Sequence, residues 1–205
     1  MDSKIYLSSP HMGGAEQAFV NEAFETNWVA PLGPNVEGFE KSLEDYLGHG
    51  TQVAALSSGT AAQHLALILL GIERGDEVIC QSLTFAASAN PIVYLGGKPI
   101  FVDSEKDTWN ICPIHLEEAI KDRVSKGKRP KAIIVTHLNG MPCQIEAIDL
   151  ISKQYDIPVV EDAAHALGSE YKHKKCGTFG DISILSFNGN KIITTSGGGA
   201  LVSRN

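Results

Sequence analysis

The sequence predicts an α/β fold, a three-layer α/β/α arrangement around a mainly parallel central sheet. Two observations predict it. From residue 52 onward, short apolar segments alternate with segments of helical periodicity, the pattern of parallel strands covered on both faces. Over 205 residues, 43% are hydrophobic and 20% charged. That is a globular composition, enough for one sizeable domain or a domain and a half.

The elements follow in order. Residues 1–12 read as irregular, with Pro10 and His11 in a loop. Residues 13–27 read as a helix whose Ala15, Phe19, Val20, Ala23 and Phe24 share an apolar face. Two prolines and a glycine make 28–34 a loop, and Asn35 is placed to cap a second helix reaching Leu47. Residues 1–50 thus form an N-terminal helical segment, distinct from the regular alternation in 51–205. There, strands are expected at 52–56, 77–80, 99–102, 132–136, 158–162, 182–186 and 200–203. Helices are expected at 61–70, 85–95 with a break near Pro91, 114–124 and 145–155. The chain ends directly after a strand with no closing helix, so a fragment of a longer chain is expected.

Net charge is −7, which gives no support to nucleic-acid binding. No apolar run has membrane-spanning length, and the first residues lack a signal-peptide form. The four cysteines, at 80, 112, 143 and 176, are widely spaced without a CxxC pair. A reduced cytoplasmic compartment fits this; a zinc site or disulfide framework does not.

In open parallel sheets ligands sit beyond the carboxyl ends of the strands. Several polar groups are expected there. Ser57–Thr60 opens a helix, whose free N–H groups make an anion site that Gly59 lets a phosphate approach; an ordinary cap is the alternative. Asp162 ends an apolar strand and needs a partner, such as a protonated pyridine nitrogen or a loop it caps. Phe85 is a candidate to stack on a flat ring or to join the core. His165 is a candidate donor to a phenolic oxygen or a structural residue. The segment ISILSFNGNKIITTSGGG, from Ile182, sets a buried strand before one lysine, Lys191. Desolvation there would make the amine a nucleophile able to form a Schiff base; a surface lysine is the plain alternative. Ser186 could serve the same phosphate. A phosphate nest, a flat-ring neighbour, a carboxylate and a lysine together match pyridoxal 5′-phosphate.

The ordered motifs LSSGTAAQHLAL (56–67), GDEVICQSLTFAASANPIVYLGGKPIFVD (75–103), VTHLNG (135–140), VVEDAAHALGSEY (159–171) and GTFGDISILSFNGNKIITTSGGG (177–199) cover most of residues 50–205. With them the sequence resembles the sugar aminotransferase family of fold-type I pyridoxal phosphate enzymes, which aminate nucleotide-linked keto-sugars. LSSPHMGG and NWVAPLGP look like the branch making UDP-4-amino-4,6-dideoxy-N-acetylglucosamine. The resemblance implies that 51–205 is the cofactor-binding large domain and that 1–50 includes a substrate loop. It implies Lys191 as the covalent anchor of the cofactor and Asp162 as partner of its pyridine nitrogen. Gly59, Thr60 and Ser186 would hold the phosphate, Phe85 would lie against the ring, and Trp28 and Asn188 would face substrate. His165 stands where the family often has glutamine, Asn139 interrupts the commoner HLYG form, and Asn188 replaces a frequent histidine. A glutamate donor, a small C-terminal domain and a homodimer are further implications.

Competing readings are a related sugar dehydratase, in which histidine replaces the lysine, and a transaminase for a GDP- or dTDP-linked sugar. Outside enzymes, a non-catalytic cofactor-binding protein or a flavodoxin-like nucleotide module shares the fold pattern.

Overall fold

A computed structural model describes residues 11–48 and 50–204. Most of the loop read at 1–12, including Pro10 and the first half of LSSPHMGG, lies outside the described residues.

Seven strands form the central sheet: β1 (Gln52–Leu56), β2 (Glu77–Gln81), β3 (Lys98–Val102), β4 (Ala132–Thr136), β5 (Val159–Asp162), and then β8 (Ile182–Ser186) and β9 (Gly199–Ser203). Their spatial order is β1-β9-β8-β5-β4-β2-β3. β8, β5, β4, β2 and β3 pair in parallel, while β9 is antiparallel to both neighbours, β8 and β1. Six strands therefore point one way and end at one edge. The helices α3 (Gly59–Leu69) and α4 (Asn90–Tyr94) cover one face. There Ala62, Ala66, Leu67 and Ile92 pack on Val78, Cys80, Ile134, Val160 and Ile184. The other face is covered by α2 (Pro34–Leu47), α5 (Pro113–Ser125) and α6 (Ile145–Tyr155). Leu116, Ile120 and Ile148 meet Ile79, Ile133 and Val135, and Leu43 and Leu47 meet Leu185 and Phe187. The side-chain alternation of β4 and β8 serves both faces at once, which is the three-layer arrangement the sequence predicts.

The structure departs from the sequence reading in four places. The first helix, α1, is Glu16–Glu25, and its apolar face is not buried: Phe19 and Phe24 are 66% and 73% exposed. None of its residues is buried. Asn35 is not a cap; α2 begins at Pro34, behind Gly33, because proline suits the first helical position, where its missing N–H costs nothing. The expected helix at 85–95 is a 3₁₀ turn, Ala86–Ser88, followed by α4, with Pro91 in the first turn of α4. A small hairpin, β6 (Glu170–Tyr171) and β7 (Lys174–Lys175), went unread. Its turn, Lys172-His173, has two positive φ angles, 49° and 64°, without the Asn-Gly that signals such turns.

Adjacent residues of β5 anchor the two faces. Glu161 is fully buried, and its carboxylate accepts from His137 Nε2 (2.8 Å), the N–H groups of Gly177 (2.6 Å), Phe179 (2.7 Å) and Gly180 (3.0 Å), and Ser183 Oγ (2.7 Å). His137 Nδ1 accepts the Cys143 N–H at 3.1 Å, which assigns the ring proton to Nε2. His137 follows the end of β4 but is not among the residues lining the strand-end cleft. His137, Glu161 and Cys176 bring ligand-type atoms within 4.8 Å of one another, but the Glu161 oxygens are already taken by hydrogen-bond donors. Burial pushes the Glu161 carboxyl up; the His137 Nε2–H hydrogen bond and the loop N–H groups outweigh it and hold it at about 2, below its ordinary 4.5.

A carboxyl depressed on folding stabilises above its unfolded value, and that stability fades as pH falls toward its folded value. Glu161→Gln is expected to cost on the order of 3 kcal/mol at neutral pH by urea unfolding. The gap from the unsubstituted protein should narrow steadily from pH 4.5 to about 2. A pH-independent gap would contradict an ionised Glu161.

Candidate active site

The common end of the parallel strands opens into a cleft of about 400 Å³. Its wall includes Gly59 and Thr60 from the start of α3, Thr84 and Phe85 beyond β2, Asp162 and His165 beyond β5, and Ser186, Asn188 and Lys191 beyond β8. Eight of the residues singled out in the sequence thus meet in one place. Trp28 is not among the lining residues; its indole lies over Gly33, and it is 48% exposed.

Each position has a local cause. Ser58 caps α3, its Oγ accepting the Ala61 N–H at 3.0 Å. The first helical N–H groups, having no partner within the helix, face the cleft with the positive end of the helix dipole. At the opposite side Asp162, the last residue of β5, is 5% exposed. Its Oδ1 accepts the Ala164 N–H at 3.1 Å and its Oδ2 the Ser88 hydroxyl at 3.0 Å. Lys191 is partly buried. Burial pushes its amine below the ordinary 10.5, and the Asp162 carboxylate offsets part of that. Burial and the Lys191 charge likewise lower the His165 imidazole, against a pull from Asp162. The cleft therefore joins anion-binding donors, a buried acceptor and an amine that sheds its proton readily.

A family model described as the DegT/DnrJ/EryC1/StrS aminotransferase family matches residues 10–205. The chain belongs to this family. EpsN of Bacillus subtilis (strain 168), which carries the provisional name of a pyridoxal phosphate-dependent aminotransferase, is 54% identical over 203 residues, 99% of this chain and 52% of its own. GDP-perosamine synthase of Escherichia coli O157:H7 is 43% identical over 198 residues, 97% of this chain and 52% of its own. Among solved structures, the PMP-form of Spr1654 from Streptococcus pneumoniae, provisionally named a sugar aminotransferase, superposes with a TM-score of 0.89 at 31% identity. That match covers 98% of this chain and 52% of the Spr1654 chain. The chain spans about half the length of these relatives.

The residues of this aminotransferase-family cleft fit pyridoxal 5′-phosphate. The helix start with the Thr60 and Ser186 hydroxyls suits a phosphate, and Asp162 suits a ring N–H. Lys191 suits an aldehyde. Phe85, 73% exposed, offers its ring to the cleft rather than to the core. One sequence expectation changes its reason. Gly59 is required by packing: a Cβ there would lie 2.9 Å from Ser186 Cβ and 3.3 Å from the Leu185 carbonyl oxygen, so α3 can sit against β8 only without one. Gly199 is tighter still, with a Cβ 2.2 Å from the Ser58 carbonyl carbon. Sequence reading missed Ser88 and Thr136, which face Asp162. Thr136 could have been found, since it pairs with Asp162 in register at the end of β4.

Two outcomes follow. Gly199→Ala should lower stability by about 2 kcal/mol through overpacking, read by urea unfolding. Unchanged stability would mean that β9 and the Ser58 turn are less tightly apposed. In the full-length protein, acetylation of Lys191 followed by mass spectrometry should reach half its maximum below pH 10.5, and at lower pH still in Asp162→Asn. A midpoint at or above 10.5 would contradict the burial of the amine.

Proposed function

We propose that the full-length protein is a pyridoxal phosphate-dependent transaminase. It moves an amino group from glutamate to the ketone of a nucleotide-linked 4-keto-6-deoxy sugar. The observation that carries this reading is the convergence of Lys191, Asp162 and the start of α3 on one cleft. When bound, pyridoxal phosphate supplies an electron sink for a carbon that has lost a proton. The chain's own residues do the rest. Gly59, Thr60 and Ser186 hold a phosphate at the positive end of α3. Asp162 accepts a hydrogen bond from the ring nitrogen and keeps it protonated. Lys191 would hold the aldehyde end of the cofactor, and its Nζ would be placed to take the proton from the donor α-carbon. It later returns one to the sugar carbon, base then acid. His165, its imidazolium disfavoured by burial, is suited to hydrogen-bond the ring hydroxyl.

The N-terminal segments suggest a UDP-linked N-acetyl sugar, with Trp28 and Asn188 toward substrate. The likeness to GDP-perosamine synthase favours a second reading, a GDP-linked sugar. A homodimer accords with the apolar face of α1 left uncovered in a single chain. No helix among the described residues is long and apolar enough to cross a membrane.

The test is a panel of UDP-, GDP- and dTDP-linked keto-sugars with glutamate, run on the full-length protein and on Lys191→Ala. One sugar class should consume glutamate stoichiometrically. Lys191→Ala should lose at least about 10²-fold of turnover together with the visible absorbance of bound cofactor. Turnover without glutamate consumption would indicate a dehydratase, and full activity of Lys191→Ala would refute the assignment.

A further inference from the structure

At the Asp162 end of the cleft lies a group of hydroxyls to which the proposed transamination gives no part. Ser88 is wholly buried, and its Oγ is 2.7 Å from Thr84 Oγ1 and 3.3 Å from Thr136 Oγ1. Thr136 Oγ1 is in turn 3.3 Å from Thr84 Oγ1 and 3.4 Å from Asp162 Oδ2. Both backbones are held by buried amides. Gln63 Nε2 donates to the Ser88 carbonyl oxygen at 2.9 Å, and the Thr136 N–H donates to Gln81 Oε1 at 3.3 Å.

A hydroxyl has one proton to give. Ser88 gives its proton to Asp162 Oδ2, at 3.0 Å, so the 2.7 Å contact is Thr84 donating to Ser88. Donation in sequence polarises each bond and strengthens the last one. With Thr136 added, both lone pairs of Oδ2 are occupied. Oδ1, which accepts only the Ala164 N–H, keeps one lone pair for a donor in the cleft. A simple core would not place two hydroxyls on one carboxylate oxygen and a third behind them, because each must be satisfied away from water.

We propose that Thr84, Ser88 and Thr136 form a hydroxyl clamp that positions Asp162 as a pure acceptor for the cofactor's ring nitrogen. This rests on the pyridoxal phosphate reading. The three are positioning residues, proposed to act through Asp162 and not through the phosphate or the aldehyde. Their effect should therefore depend on the presence of a ring N–H.

The experiment compares two cofactors on the full-length protein, pyridoxal phosphate and its 1-deaza analogue, in which C–H replaces the ring nitrogen. Dissociation constants are measured for the unsubstituted protein, Ser88→Ala and the near-isosteric Thr136→Val. Ser88→Ala should weaken pyridoxal phosphate roughly tenfold, and Thr136→Val, whose contact is longer, roughly threefold. Neither should weaken the deaza analogue by more than about twofold. Equal weakening of both cofactors would mean that the hydroxyls merely shape the pocket, and no weakening of either would mean that Asp162 does not need them; each result overturns the clamp. Failure of the unsubstituted protein to bind pyridoxal phosphate would instead overturn the functional reading, and the clamp with it.

Discussion

Two neighbouring carboxylates on β5, Glu161 and Asp162, are both buried, and the fold is arranged around making that tolerable. A buried charge is costly unless donors surround it. Because strand side chains alternate, the two point to opposite faces and draw on separate donors. Glu161 gathers the loop of Gly177 to Gly180, the side chain of Ser183 in β8 and His137 from the end of β4. It thereby ties together the three central strands whose ends build the cleft. Asp162 faces the cleft with fewer protein donors, so one of its lone pairs stays open to a ligand. One residue secures the frame; the next is held in place at the cleft by it.

The second constraint is steric. α3 meets β8 and β9 at Gly59 and Gly199, where a Cβ would overlap Ser186 or Ser58. This close approach puts the helix N-terminus beside the Ser186 hydroxyl, and the anion-binding end of the cleft follows from it. The distance between that end and Asp162 is then set by the sheet, since Ser186 and Asp162 end parallel neighbours in one ladder. Such rigid placement is what a cofactor with an anion at one end and a nitrogen at the other requires.

Much of this was legible beforehand because each element carries its own local signal. Ala132–Thr136, largely β-branched, and Ile182–Ser186, with Ile182, Ile184 and Leu185, are short runs that are strands with those bounds. Ile145–Tyr155 has helical periodicity and is a helix with those bounds. Lys191, Asp162 and Gly59 stood out because polar residues after apolar strands are few. The errors fall where local signals are weak or are overridden by packing. Ser88 looks like one small residue among alanines, and only the approach of Thr84 and Thr136 gives its hydroxyl a role. His137 shares its place after a strand with the cleft residues, yet its side chain turns to Glu161. The apolar stripe of α1 was legible as one face, but a stripe does not say what covers it, and none of its residues is buried here.

The amino-acid sequence by itself determined the alternation of strands and helices and carried the motifs of the family. These depend on residue type and spacing along the chain, and both are local properties. Only the tertiary structure decided which strand-end side chains meet, that Glu161 faces away while Asp162 faces the cleft, and that Gly59 serves packing as much as ligand approach. The reason is geometric. Facing and distance depend on strand order and register across the sheet, and residues that touch there, such as Ser88 and Asp162, are 74 positions apart in the chain.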